Sequence, residues 1–348
     1  MDLNCHLKQL AYNVAMTNTI PLDHDGENAY LSEALPVSGR ALALRMRFNR
    51  SLIQSCGVLL DACEDVVSSS LFQNAKVTLT RLNADLKLSG FLSALHVNLF
   101  HAIEAENLLK IEEIITHISS KEFQCTEMKI LNFSALSRGD AACAQRFFSQ
   151  EISEDVVISP LTDAQHHCIQ RSLEKGLIVY QNAFPNFYRE FEELVSEILL
   201  LNSQRLKQGS SADLFGMIYK SYQHPWKTVA DILDLLVHEQ SHLYIYLLNH
   251  DDRLILNPMD RFEAPLRKEK RPLIGIFHAT FVLARMQYVL KKAHEGRLLP
   301  RHEQHDCQTR VTYYQKRFRA GFEVLQKHAQ LTPLARQLMT SAKTLLED

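Results

Sequence analysis

The stretch that decides the reading of this chain is WKTVADILDLLVHEQSHLYIYLL, residues 226–248. Apolar residues fall on several of its faces, so it predicts a helix buried in a core rather than one lying on a surface. Within it His238-Glu239-Gln240-Ser241-His242 forms an HExxH pattern. Two histidines four apart on a helix point the same way, one turn apart, and neutral imidazoles at that spacing suit one divalent ion. The alternative is a helix with two polar-face histidines and a solvated glutamate. The apolar neighbours Leu235, Leu236, Val237, Leu243 and Ile245 weigh against it, because unpartnered polar groups are costly to bury.

Around this helix the chain is rich in helical pattern. Its 348 residues are 46% hydrophobic, with only 11 Gly and 10 Pro, which favours long helices over many tight turns. Residues 1–38 read as irregular and 39–120 as a run of helices. FQCTEMKILNF and EDVVISPL, between 122 and 160, read as short strands. The segment NAFPNFYREFEELVSEILLLNSQRL reads as one amphipathic helix, and the region of Gly216–Tyr219 as an edge strand. PLIGIFHATFVLARMQYVLKKAHEG reads as a helix entered at Pro272 and left at Gly296. The expected fold is α+β and mainly helical: a small mixed sheet, a zincin-like HExxH helix packed beneath the sheet edge, and an N-terminal helical layer. Residues 1–150 are expected to form the helical region that meets a substrate or partner, and 151–348 the catalytic region.

The formal net charge of −2 offers no basic field for nucleic acid or an anionic membrane. The seven cysteines are scattered without a CxxC pair, as free thiols in a reducing compartment would be. The N-terminus lacks the pattern of a signal peptide, and no stretch reads as a membrane span. A cytoplasmic protein is expected, with no nucleic-acid or membrane partner.

A metal needs a third protein ligand. The extended HExxHxxGxxH pattern is absent, since Ile245 and Leu248 occupy the relevant positions. Glu263 is followed by Ala264-Pro265, which argues against a helical carboxylate ligand. His278, between Phe277 and Phe281 in an apolar helix, is the better candidate. A lone histidine in such a helix is more often a satisfied core residue, yet its ring needs a partner that a metal would supply. Arg285 shares the His278 face and Arg271 precedes the helix. Either suits a carboxylate clamp, and either serves equally well in a surface ion pair. Asp231 and Asp234 precede His238 as possible imidazole acceptors or surface caps. His302 and His305 lie in a charged stretch and read as solvated.

The segments LLVHEQSHLYIYLL, EAPLRKEKRPLIGIFHATFVLARMQYV and LTPLARQL resemble the HExxH-motif family associated with peptide modification, over residues 155–340. Pro265, Arg267, Arg271-Pro272-Leu273 and His278 follow that family's order, and SSADLFGMIY is similar to its Ser-rich strand. Leu266 stands where the family usually has Trp. The resemblance implies an iron(II)/2-oxoglutarate-dependent oxygenase that β-hydroxylates a residue of a ribosomally made peptide or a carrier-bound amino acid in natural-product biosynthesis, consuming O2. It implies iron on His238, His242 and His278, and 2-oxoglutarate held by an arginine, Arg285 first and Arg271 next. Glu239 would then hydrogen-bond a ligand or substrate. Two further readings stand beside it. One is a zinc(II) metallopeptidase with Glu239 as general base and Glu263 or His278 as third ligand. The other is a non-enzymatic helical binding protein with a structural metal.

Overall fold

The computed structural model describes residues 33–152, 156–263 and 269–347. Of these, α1 spans Arg40–Asp61, α2 Ser69–Thr80, β1 Lys87–Leu88, α3 Gly90–Glu104, α4 Leu108–Ser120, β2 Gln124–Cys125 and β3 Lys129–Asn132. There follow α5 (Arg138–Ile152), α6 (Asp163–Ala183), α7 (Pro185–Leu194), β4 (Glu197–Leu201), β5 (Gln208–Ser210) and β6 (Met217–Ser221). The chain ends with α8 (Val229–Asp251), β7 (Arg261–Glu263), β8 (Lys270–Pro272), α9 (Leu273–Glu295), α10 (Gln304–His328) and α11 (Pro333–Glu347). The architecture is mainly helical with small mixed sheets.

Two compact units interleave along the chain rather than meeting at one point. The described part of the first is 43–152, 156–166 and 195–224; that of the second is 33–42, 167–194, 225–263 and 269–347.

The first unit holds a four-stranded sheet in the order β3-β4-β6-β5, with β3, β4 and β6 parallel and β5 antiparallel. Its core joins Phe91, Leu92 and Leu95 of α3 and Ile115 of α4 with Phe148 of α5 and Leu199 and Leu201 of β4. Glu197 ties sheet to helix: Ser89 Oγ and the Gly90 amide, at the start of α3, donate to its carboxylate at 2.7 and 3.0 Å. A negative charge there suits the partial positive charge of a helix N-terminus. Gly90 also lets the helix start come close to the backbone before β6, since a Cβ would lie 2.9 Å from the Leu214 carbonyl oxygen.

Two expectations are corrected here. The helix expected through residues 182–206 ends at Leu194, and Glu197–Leu201 is a strand buried at all five positions. A strand covered on both faces reads as a continuous apolar run, which periodicity alone does not separate from a buried helix. The strand at Met217–Ser221 lies inside the sheet, between β4 and β5, and not at its edge. Of the two strands expected within 122–160, the first becomes β2 and β3. The second contributes one isolated bridge, Ser159 to Asn202, with 153–155 outside the described residues.

The second unit is built on α8, α9, α10 and α11, with α9 packed against the other three. A capping box starts α8: Thr228 Oγ1 accepts from the Asp231 amide, and the Asp231 carboxylate accepts from the Thr228 amide. Glu303 adds a second cap, accepting from the Val229 and Ala230 amides at 3.0 and 3.3 Å. Pro272 and Gly296 bound α9, as expected. The absence of any span-like stretch is also corrected. By length and composition α9 is apolar enough to cross a membrane, yet 72% of its apolar window is buried inside the fold, as in a core helix. The four-stranded sheet and the HExxH helix belong to different units. The irregular segment expected at 1–38 lies outside the described residues as far as 32, as do Ala264, Pro265, Leu266 and Arg267.

Candidate metal centre

Helix α8 sets His238, His242 and Tyr246 along one face by its four-residue spacing. The imidazoles of His238 and His242 face each other, Nε2 to Nε2, at 3.2 Å, with ring centres 4.8 Å apart. His278 on α9 brings its ring centre to 6.1 Å from that of His242 and 5.3 Å from that of Tyr246, while Tyr246 stacks on His242 at 6.1 Å. The pairs 246–278, 244–281 and 238–286 run in opposite order on the two helices, so α8 and α9 are antiparallel. That direction is what brings His278 to the HExxH face.

Buried polar atoms mark the same place. His242 Nδ1 and His278 Nε2 are buried without a hydrogen-bond partner among the described residues. His238 Nδ1 meets only a weak acceptor, the Met286 sulfur, at 3.2 Å. The His238 side chain keeps 38% of its surface exposed.

Electrostatics keep these rings neutral. Burial lowers His238, with Asp234 opposing the shift. Burial pushes His278 down to about 4. His242 is lowered well below the usual range by burial first, then by His238, His278 and Arg271. A metal ligand must be deprotonated, so three imidazoles neutral at pH 7 are ready donors.

The two arginines part company. Arg271, on β8 opposite Phe262, is a cation whose charge reaches His242. Arg285 is fully buried elsewhere. It pairs with Glu190 of α7, and its guanidinium carbon lies 4.8, 5.4 and 5.6 Å from the ring centres of Phe187, Phe281 and Tyr244. Its unbonded Nε and Nη1 lie among these ring faces. Gln240 Nε2 donates to the same Glu190 carboxylate at 2.7 Å, and Tyr180 donates to Gln240 at 2.7 Å. Arg40 approaches Glu190 at 3.9 Å. On α8, Gln240 and Tyr244 stand two residues on from His238 and His242, about 200° around the helix. The Arg285 cluster therefore lies against the face of α8 that points away from the imidazoles.

Glu239 is buried, with Oε1 3.9 Å from His238 Nε2. Glu263 is exposed on β7, paired in register with Lys270. His302 and His305 are exposed.

Among the described residues, no three His, Cys, Asp or Glu side chains converge as they stand on one ion position. The donor set nevertheless fits a metal in part. Two nitrogens 3.2 Å apart, each about 2.1 Å from an ion, subtend about 100° at it, between tetrahedral and octahedral values. The His238–His242 pair is thus preformed. His278 is adjacent, with Nε2 unbonded among the described residues, and as it stands it does not converge with the pair on one ion position.

Tyr246 was legible only as one more apolar-face residue; its i, i+4, i+8 spacing with the histidines was the available signal. Gln240 and Glu190, which hold Arg285, carry no local signal. Neither a protein-family model nor a curated protein sequence matches this chain.

Proposed function

We propose that the chain is a metal-dependent oxygenase of the iron(II)/2-oxoglutarate type. The observation that carries this reading is the facing Nε2 pair of His238 and His242, with the unpartnered Nε2 of His278 beside it. The positive charge of Arg271 next to His242 adds to it. A cation beside neutral imidazoles suits an anionic co-ligand such as the carboxylate of a 2-oxo acid. In this reading His238 and His242 hold the ion, His278 is the third ligand, and Arg271 takes precedence over Arg285 as the carboxylate clamp. When bound, iron(II) with 2-oxoglutarate and O2 supplies the oxidising power for hydroxylation of a substrate carbon. The substrate is a peptide or carrier-bound amino acid, and the setting is cytoplasmic natural-product biosynthesis, by resemblance to the HExxH-motif peptide-modification family. A zincin-like kinship of the α8 region belongs to the same reading. Imidazole ligands serve zinc equally well, so iron rests on the resemblance alone.

The test uses protein prepared without oxygen. Iron(II) and then 2-oxoglutarate are added, and the visible charge-transfer band of the chelate is sought. Succinate release is followed with peptide pools after air is admitted. A band that depends on His238, together with succinate, supports the reading. Bound iron with no band and no succinate overturns it.

A zinc peptidase is the second reading, favoured by Glu239 Oε1 at 3.9 Å from His238 Nε2. There Glu239→Gln abolishes cleavage while metal stays bound. Cleavage that survives the change eliminates it.

A further inference from the structure

Two aspartates precede His238 on α8, and they do different work. Asp231 closes the capping box and pairs with Arg310 at 2.6 Å. It is committed to the helix start. Asp234 is one turn before His238, on the same face.

One oxygen of Asp234 is fully engaged. Tyr314 donates its hydroxyl to Oδ2 at 2.6 Å, and Arg310 Nη1 lies 3.5 Å from the same oxygen. Arg310 is itself held by Asp231 and by Asp306 at 2.7 Å. The other oxygen, Oδ1, is buried with no hydrogen-bond partner among the described residues. Leaving a carboxylate oxygen buried and unbonded is costly, so a partner for it is expected in the working state. One turn on from Asp234, His238 Nδ1 has a weak partner, the Met286 thioether. Asp234 and His238 also feel one another's charge, second to the effect of burial on His238.

We propose that Asp234 is the positioning residue for His238, its Oδ1 accepting the Nδ1–H when Nε2 is given to a metal. This rests on the metal reading of His238 and His242. A metal on Nε2 leaves the ring proton on Nδ1, and that N–H needs a better acceptor than sulfur. A carboxylate is such an acceptor: it fixes the tautomer and ring orientation and raises the basicity of the ligand. Tyr314 and Arg310 hold Oδ2 and thereby leave Oδ1 for the imidazole. Asp234 thus acts through His238 and need not touch substrate.

The experiment measures cobalt(II) affinity of the full chain by competition with a chromophoric chelator, and records the visible cobalt spectrum. Wild type is compared with His238→Ala, Asp234→Asn, Tyr314→Phe and Met286→Leu. Asp234→Asn is expected to weaken cobalt binding about 10–100-fold and to shift the spectrum, while the metal-free protein melts near the wild-type temperature. Tyr314→Phe changes affinity in the same direction and by less; if Asp234→Asn does not fold, this variant decides. A folded Asp234→Asn protein with wild-type affinity and spectrum overturns the proposal. So does a larger loss from Met286→Leu than from Asp234→Asn, or wild-type affinity and spectrum in Tyr314→Phe when Asp234→Asn does not fold. Wild type binding cobalt no better than His238→Ala overturns the metal reading itself, and the proposal with it.

Discussion

His238 and His242 turn their Nε2 atoms toward each other at 3.2 Å on one face of α8. That separation is the span of two nitrogen ligands on one ion. Metal analysis after incubation with zinc(II) or cobalt(II) and desalting is expected to find about one ion per chain. His238→Ala and His242→Ala each abolish it, and His278→Ala lowers it sharply. Unaltered occupancy in the His278 variant puts the third ligand elsewhere.

Arg271 and Arg285 give opposite signatures. Arg285→Met leaves the buried Glu190 without its closest cation, and removing one partner of a buried pair costs about 3–5 kcal/mol. Urea denaturation of the metal-free protein reads this loss. Arg271→Gln weakens 2-oxo acid binding to the metal-loaded protein, by titration of the chelate band, and costs less stability than Arg285→Met. The reverse pattern returns Arg285 to the role of clamp.

His96, in the first unit, offers a pH test of its own. Its Nε2 meets Ser55 Oγ at 2.7 Å, and burial lowers its pKa from the ordinary value to about 4. The unfolded chain binds this proton near pH 6.5 and the folded chain near 4. Stability from His96 is therefore whole above 6.5 and is lost as pH falls toward 4. With allowance for the ring's partial exposure the loss is about 2 kcal/mol. Chemical denaturation of wild type and His96→Gln between pH 7 and 4 is expected to show a shallower acid decline in the variant. Equal slopes refute the assignment.

Gly176 sets how closely α6 approaches α8. A Cβ there would lie 2.2 Å from Ile232 Cγ2. Gly176→Ala is expected to destabilise by about 1–3 kcal/mol despite the better helix propensity of alanine. A companion Ile232→Val change relieves part of the clash, so the double variant melts above Gly176→Ala. Thermal melts of the single and double variants decide this.

The helices at 39–120, the bounds of α9 at Pro272 and Gly296, and the pairing of His238 with His242 were all legible in the sequence. Each depends on a local period or a local terminator. Glu197–Leu201 was not legible, because EILLL fits a buried helix turn as well as a central strand. The choice between them was made by β3 and β6, which flank it from distant parts of the chain. The interleaving of the two units escaped for the same reason.

For the candidate site, the sequence alone determined that two imidazoles share a helical face within an apolar helix. Helix geometry requires this whatever the rest of the chain does. Only the tertiary structure decided which other residues meet them. The antiparallel packing of α9 on α8 brings His278 and Met286 to that face. The Glu190 carboxylate, reached through Gln240 on the opposite face, holds Arg285 there, and Arg271 is a cation whose charge reaches His242. Position on a helix sets the direction of a side chain. Its electrostatic partner, contributed by another element, settles what that side chain is free to do.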